Sequence, residues 1–344
     1  MRNDLPGAPI GYLDAEQWSA LGASPLVVVE LGDPVAVAAA RRLADRTKAI
    51  VLGLDRTGSC PPVEETLYDC LLTIAQDPPR PWVSVPTGRI DNALVRLTQT
   101  VGFAPVAASA LVRVLRINER LGLDDALEVE SFAYSTLLSG SAFARWRSRR
   151  RAGPDAAPAR ASGPLVVYER EMDSVTLTLS SPETRNAMSA AMRDALFEAL
   201  ASVADDPTRP ILALEGAGRC FSVGGEIAEF GMATDIALAH AIRTARSCTR
   251  ILAELGDRAR VRLHGACIGS GIEIPAAAAS RTAMRGSFFQ LPELGMGLIP
   301  GAGGTVSISR AIGRHRTAWM VLSGQRIAAA TALDWGLIHQ ISAT

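Results

Sequence analysis

The stretch His264-Gly-Ala-Cys-Ile-Gly-Ser-Gly-Ile-Glu-Ile274 decides how the second half of the chain is read. It follows the strand-like Val261-Arg-Leu263 and runs into Pro275 and the alanines Ala276 to Ala279. Glycine lets a backbone turn sharply and present N–H groups to a ligand. Glu273 falls just inside the helix expected there, among apolar neighbours. A second turn of the same kind, Gly216-Ala-Gly-Arg-Cys-Phe-Ser-Val-Gly-Gly-Glu226, follows the short strand Ile211-Leu-Ala-Leu214. Two such amides converging on one oxygen make an oxyanion hole. Neither turn continues as Gly-Lys-Ser/Thr, which excludes a phosphate-binding P-loop. Taken alone, each turn means only a tight connection.

A second carboxylate, Glu293, stands in Phe288-Phe-Gln-Leu-Pro-Glu-Leu-Gly295, ahead of Gly301-Ala-Gly-Gly304. An enclosed carboxylate has its pKa raised, and two close together separate their proton affinities, which prepares one as base and one as acid. Spacing by itself leaves the plainer reading open: one glutamate satisfied at a helix start, the other on a surface loop.

Around these turns the pattern is α/β. Val175, Leu177 and Leu179 alternate with polar residues as in a strand, and Ser189 caps a helix marked by Met192, Leu196, Leu200 and Val203. Helices at Arg314 to Leu322 and Thr331 to Trp335, then an extended Leu337 to Ile341, complete a largely parallel, covered sheet. In the first half, Leu26 to Leu31 and Ala49 to Leu54 read as strands flanking a helix from Pro34 to Ala44. Asn92 to Arg147 reads as all helix, with stops at Gly122 and Gly140. Ile50 to Leu54 is weakly similar to Ile211 to Glu215, and Cys70 to Ala75 to Cys248 to Ala253, a hint of internal repetition. Between the halves, Arg145 to Pro164 is rich in Ala, Pro, Gly and Arg, with Trp146 its one large apolar residue. That composition describes a tether, placed at 148–163.

Composition bounds the function. The 344 residues carry 35 Lys+Arg against 35 Asp+Glu, so the formal charge is zero, which disfavours a dedicated nucleic-acid binder. Residues of hydrophobic type make up 48%, enough for a core. No apolar run approaches a membrane span, and Met1 to Gln17 has no signal-like apolar region. Five scattered cysteines lack metal-ligand spacing and read as reduced thiols of a cytoplasmic protein. The four histidines stand apart, as surface or helix-end residues, and support no metal site.

With these residues in view, the second half resembles the crotonase superfamily, the enoyl-CoA hydratase/isomerase family. The resemblance rests on Asn186-Ala-Met-Ser189, Gly218 to Glu226, His264 to Glu273, Pro292-Glu293 and Gly297-Leu-Ile-Pro-Gly-Ala-Gly-Gly-Thr305, and spans residues 164–341. It implies a crotonase-like core of ββα repeats with an additional helical region, and an acyl-CoA thioester as substrate. The oxyanion amides would be those of Gly225 and Ser270. Glu273 would activate water, Glu293 would exchange the proton at C2, and the Gly301 N–H would help hold the water. Arg185 and Ala187 would cradle coenzyme A, which enters as part of the substrate with no separate cofactor. Both glutamates together favour hydration, a lyase reaction of the kind used in fatty acid metabolism. The alternatives are an enoyl-CoA double-bond isomerase and a non-catalytic partner subunit of another crotonase. Ser270 and Glu226 replace the family's usual glycine and aspartate. A trimer or hexamer of this chain, or a hetero-oligomer with another crotonase, is the expected assembly, without nucleic acid or membrane.

The resemblance also implies C-terminal helices that the sequence lacks after Ile341. Residues 1–147, with strands in 26–85 and helices in 92–147, then read as a degenerate, truncated crotonase copy. Residues 164–344 read as the catalytic domain, with the helices of 92–147 standing in for the missing region on the same or a neighbouring subunit. Trp18, Phe132 and Tyr134 are aromatic candidates for the acyl pocket.

Overall fold

The computed structural model describes residues 5–7, 9–151 and 163–343. The first half opens with a parallel four-stranded sheet in the order β1 (Leu26–Glu30), β2 (Ile50–Asp55), β3 (Cys70–Thr73), β4 (Val83–Ser84), with α1 (Pro34–Arg46) after the first strand. Helix α1 starts where a cap should be: the Asp33 carboxylate accepts the Val35 N–H, and Pro34 occupies the first turn. β2 is buried along its whole length, and successive side chains enter different cores. Val51 joins Ala36, Ala40 and Leu43 of α1, while Ile50, Leu52 and Leu54 point into the main core.

Four helices follow: α2 (Ile90–Phe103), α3 (Pro105–Asn118), α4 (Leu123–Leu138) and α5 (Ser141–Arg151). Pro105, Gly122 and Gly140 separate them, the two glycines at the stops that the sequence pattern implies. No single described helix is long and apolar enough to cross a membrane. The bent pair formed by residues 87–103 and α3 has the length and composition, but its Leu94, Leu97, Val101, Leu111 and Leu115 are core residues.

The second half contains β5 (Val166–Glu171), β6 (Ser174–Leu179), α6 (Ala190–Ala204), β7 (Ile211–Gly216), α7 (Ile236–Ala245), α8 (Cys248–Glu254), β8 (Ala259–Leu263), β9 (Ala266–Ile268), α9 (Ser270–Glu273), β10 (Ser280–Met284), β11 (Phe288–Gln290), α10 (Gly304–Ile312), α11 (Arg314–Ser323), β12 (Ile327–Ala328), α12 (Ala329–Trp335) and β13 (Gln340–Ser342). Its six-stranded sheet runs β13-β10-β8-β7-β6-β5 and is parallel apart from the β5–β6 hairpin. β12, β11 and β9 form a small second sheet that carries the second glycine turn.

The two halves share the main core, so residue 147 does not divide the chain into separately packed bodies. α2 and α3 lie on α11, α3 and α4 on α10, and α4 on α7. The helices of 92–147 therefore cover the second half within the same chain. Buried arginines fasten the contact. Arg314 donates to the carbonyl oxygens of Tyr68 and Glu65, and Arg316 to those of Trp82 and Pro78.

Two expectations change. Cys70–Thr73 is a strand whereas Cys248–Glu254 is a helix, so that supposed internal correspondence fails, while β2 and β7 are both strands. α5 runs to Arg151 and Trp146 stacks on Phe143, so the expected linker of 148–163 begins as helix. A hydrophobic anchor at Trp146 outweighs the polar composition around it. Most of the remaining tether, residues 152–162, lies outside the described residues.

Candidate active site

The first glycine turn is shaped by close approach. A Cβ on Gly224, whose φ is +88°, would fall 2.6 Å from the Ile268 carbonyl oxygen. Only glycine lets the Gly224–Gly225 turn press onto the second turn at Ile268–Gly269. Asn186 locks the approach from behind: its amide nitrogen donates to the carbonyls of Ala217, Cys220 and Phe221, and its oxygen accepts the Ser181 N–H. Ser222 ties the two segments together, donating through Oγ to the Asn186 carbonyl and accepting the Gly224 N–H. At the second turn Gly269 has φ +52°, and α9 begins immediately after it. Gly225 and Ser270 thereby border one cavity of about 1020 Å³. Their backbone N–H groups donate to no acceptor among the described residues.

Both predicted carboxylates enter the same cavity. Glu273 is 3% exposed, and its Oε2 accepts the N–H groups of Ala302 (2.8 Å) and Gly304 (3.0 Å). Glu293 is 6% exposed, and its Oε2 is buried without a partner. A methyl placed on Gly269 would lie 2.9 Å from Glu293 Oε1 and 3.8 Å from Glu273 Oε1, so the two acids face one small volume. Burial raises both. Glu293 is pushed up to about 8 by desolvation, with Glu130 adding to the shift. Glu273 is raised well above its ordinary value by burial first, then by the charges of Glu293 and Glu130, against the pull of the Ala302 and Gly304 amides. These amides favour negative charge on Glu273, whereas the bare Oε2 of Glu293 favours retaining a proton there.

The first half adds a third acid, Glu130 of α4, which sequence reasoning missed. It is 2% exposed. Its Oε1 accepts the Gly303 N–H at 2.6 Å, and its Oε2 accepts the Thr305 N–H and hydroxyl at 2.7 and 2.6 Å. Burial lifts it to about 7, moderated by these donors and by Arg243. Nothing in the sequence around Glu130 marks it, because the pairing joins positions far apart in the chain. Tyr134, one turn on, presses its ring on Gly301, where a Cβ would fall 2.4 Å from Cδ2.

Gly225, Ser270, Glu273, Glu293 and Gly301 all border the cavity; Arg185 and Ala187 do not, although Met188, Ser189 and Ala190 do. The Arg185 carbonyl accepts the Val223 N–H and the Ala187 carbonyl the Ser189 N–H. Of the aromatic candidates only Tyr134 lines it. Trp18 is buried in the small core beneath α1, and Phe132 is 59% exposed, stacked on His240. His315 proves fully buried, not superficial. Among the described residues no group of three or more His, Cys, Asp or Glu is arranged to hold a metal ion.

Comparison with known proteins finds relatives of the second half. In Escherichia coli K12, the chain is 29% identical over 176 residues to a 2,3-dehydroadipyl-CoA hydratase, covering 51% of this chain and 68% of that protein. It is 32% identical over 182 residues to a 1,2-epoxyphenylacetyl-CoA isomerase of the same organism, covering 52% and 69%. An enoyl-CoA hydratase crystal structure from Thermoplasma volcanium aligns with 29% identity and a TM-score of 0.48, over 53% of this chain and 73% of that one. The family model for enoyl-CoA hydratase/isomerase matches residues 170–344, about half the chain, and the protein belongs to that family.

Proposed function

We propose that the protein hydrates a 2-enoyl-CoA thioester, or dehydrates the 3-hydroxyacyl-CoA in reverse. The thioester carbonyl would accept hydrogen bonds from the Gly225 and Ser270 N–H groups, which stabilise it as it gains enolate character. Water would add its oxygen to C3 and pass a proton to the Glu273 carboxylate, while the Glu293 carboxyl gives its proton to C2. Proton exchange between the two facing acids would then restore the starting state. Coenzyme A would arrive and leave as part of the substrate.

The observation that supports this reading best is the placement of the two acids beside Gly269, the residue before Ser270, in the cavity that Gly225 also borders. It also argues against a purely non-catalytic subunit, since an enclosed acid with one oxygen unpartnered costs stability that a scaffold has no need to lose. Turnover of a short 2-enoyl-CoA tests it. Glu273→Gln and Glu293→Gln should each lower kcat/KM by about 10²–10⁴-fold, the worth of positioned acid–base catalysis. If a 3-enoyl-CoA is converted instead and only Glu293 is needed, the activity is double-bond isomerisation and the hydratase reading falls.

A further inference from the structure

The acids do not exhaust the charged groups in the cavity. Arg243 of α7 also lines it, half-buried. Its Nη1 donates to Ser131 Oγ (2.9 Å) and Ser135 Oγ (3.1 Å), and its guanidinium lies 4.5 Å from the Tyr134 ring centroid. Ion pairing, the usual answer to an enclosed cation, is missing: among the described residues no carboxylate makes a salt bridge with it. The nearby acids are otherwise engaged. Glu130 accepts from Gly303 and Thr305, Glu273 from Ala302 and Gly304, and Glu128 faces His240. Of the other arginines that line the cavity, Arg193 and Arg246 both pair with Asp194, and Arg147 and Arg150 come from α5.

The position of this cation restricts what can pair with it. Tyr134 touches Gly301 and also carries the guanidinium, which sets Arg243 one aromatic ring from the glycine segment beside Glu273. The phosphates of coenzyme A are separated from a thioester by the whole pantetheine arm, so they would not reach a point so near the reacting carbons. The tail of the acyl group would. Two serine hydroxyls and an aromatic face hold the guanidinium in place while leaving the rest of its planar fork to a ligand.

We infer that Arg243 selects acyl-CoA thioesters whose acyl chain ends in a carboxylate, pairing with that group while the thioester lies at Gly225 and Ser270. This inference rests on the acyl-CoA reading above and names the acyl class within it. Its test compares 2-hexenoyl-CoA with the same thioester carrying a carboxylate on its last carbon, and the saturated counterparts of both as binding probes. The wild-type protein should favour the acidic thioester in kcat/KM and in Kd. Arg243→Met should cut that preference, measured as the ratio of the two substrates within each protein, by about 10- to 100-fold, the worth of hydrogen bonding to a charged group. Arg243→Lys should retain part of it. Should Arg243→Met not fold, Ser131→Ala/Ser135→Ala, which frees the guanidinium, should reduce the same ratio. A wild-type protein that binds both saturated thioesters equally, or prefers the neutral one, overturns the assignment whatever the reaction. If neither enoyl thioester is hydrated while the saturated acid binds more tightly through Arg243, the assignment stands and the hydratase reading fails.

Discussion

At the residue scale the site is governed by desolvation. Glu293 is enclosed with one oxygen bare, so the folded protein prefers its neutral form and moves it from 4.5 to about 8. Because the folded value is the raised one, the stabilising contribution is complete below pH 4.5 and lost as pH rises through about 8. The wild-type protein should therefore lose thermal stability between about pH 5 and 8 more steeply than Glu293→Gln, with a difference on the order of 2–4 kcal/mol across the window. Unfolding curves of the two proteins at several pH values check this. Parallel pH dependences would show that Glu293 does not carry the shift. Under the proposed role of Glu293 as the acid, which needs the protonated form, hydration should decline above about pH 8.

Among the elements, the start of α10 has the most unusual support. Gly303, its N-cap, has no side chain with which to satisfy the first amides. Two glutamates from elsewhere do so in alternation: the N–H groups of Ala302 and Gly304 go to Glu273, and those of Gly303 and Thr305 to Glu130. One helix end thus serves as the common support of Glu273 and of an acid from the first half. Glu130→Ala should leave buried amides unpaired and cost about 1–3 kcal/mol. It should also lower kcat, because the peptide groups that hold Glu273 are part of the same turn. Thermal unfolding and steady-state rates measure both effects, and a variant equal to wild type in each would remove Glu130 from the site's framework.

For the whole molecule, the first half acts as the cover of the second. Nearly every residue of α10 and α11 is buried, including Arg314, His315 and Arg316, and much of what buries them comes from β3, α2, α3 and α4. A fragment of residues 160–344 would expose that surface, with Arg314 and Arg316 cut off from their carbonyl partners. Exposed apolar area of that kind drives aggregation. The fragment should be insoluble when produced alone and recover solubility when produced together with residues 1–151. A folded, active fragment would refute this dependence.

Much of the local structure was legible because it depends on neighbours in the chain. The alternation of Val175, Leu177 and Leu179, the cap at Ser189, and the breaks at Gly122 and Gly140 all act over a few residues. The glycine turns were visible for the same reason, and with them Gly225, Ser270, Glu273, Glu293 and Gly301. Where composition misled, a single packed side chain overrode it, as Trp146 did at the end of α5. The sequence by itself determined the α/β pattern of the second half and the glycine turns and glutamates that border its cavity. Only the tertiary structure decided that α4 would bring Glu130 and Tyr134 against α10, that Arg243 would line the cavity with no salt bridge to a carboxylate among the described residues, and that the helices of 92–147 would pack on the second half in the same chain. Those outcomes depend on which surfaces bury one another across more than a hundred residues, and burial at that range leaves no periodic mark in the sequence.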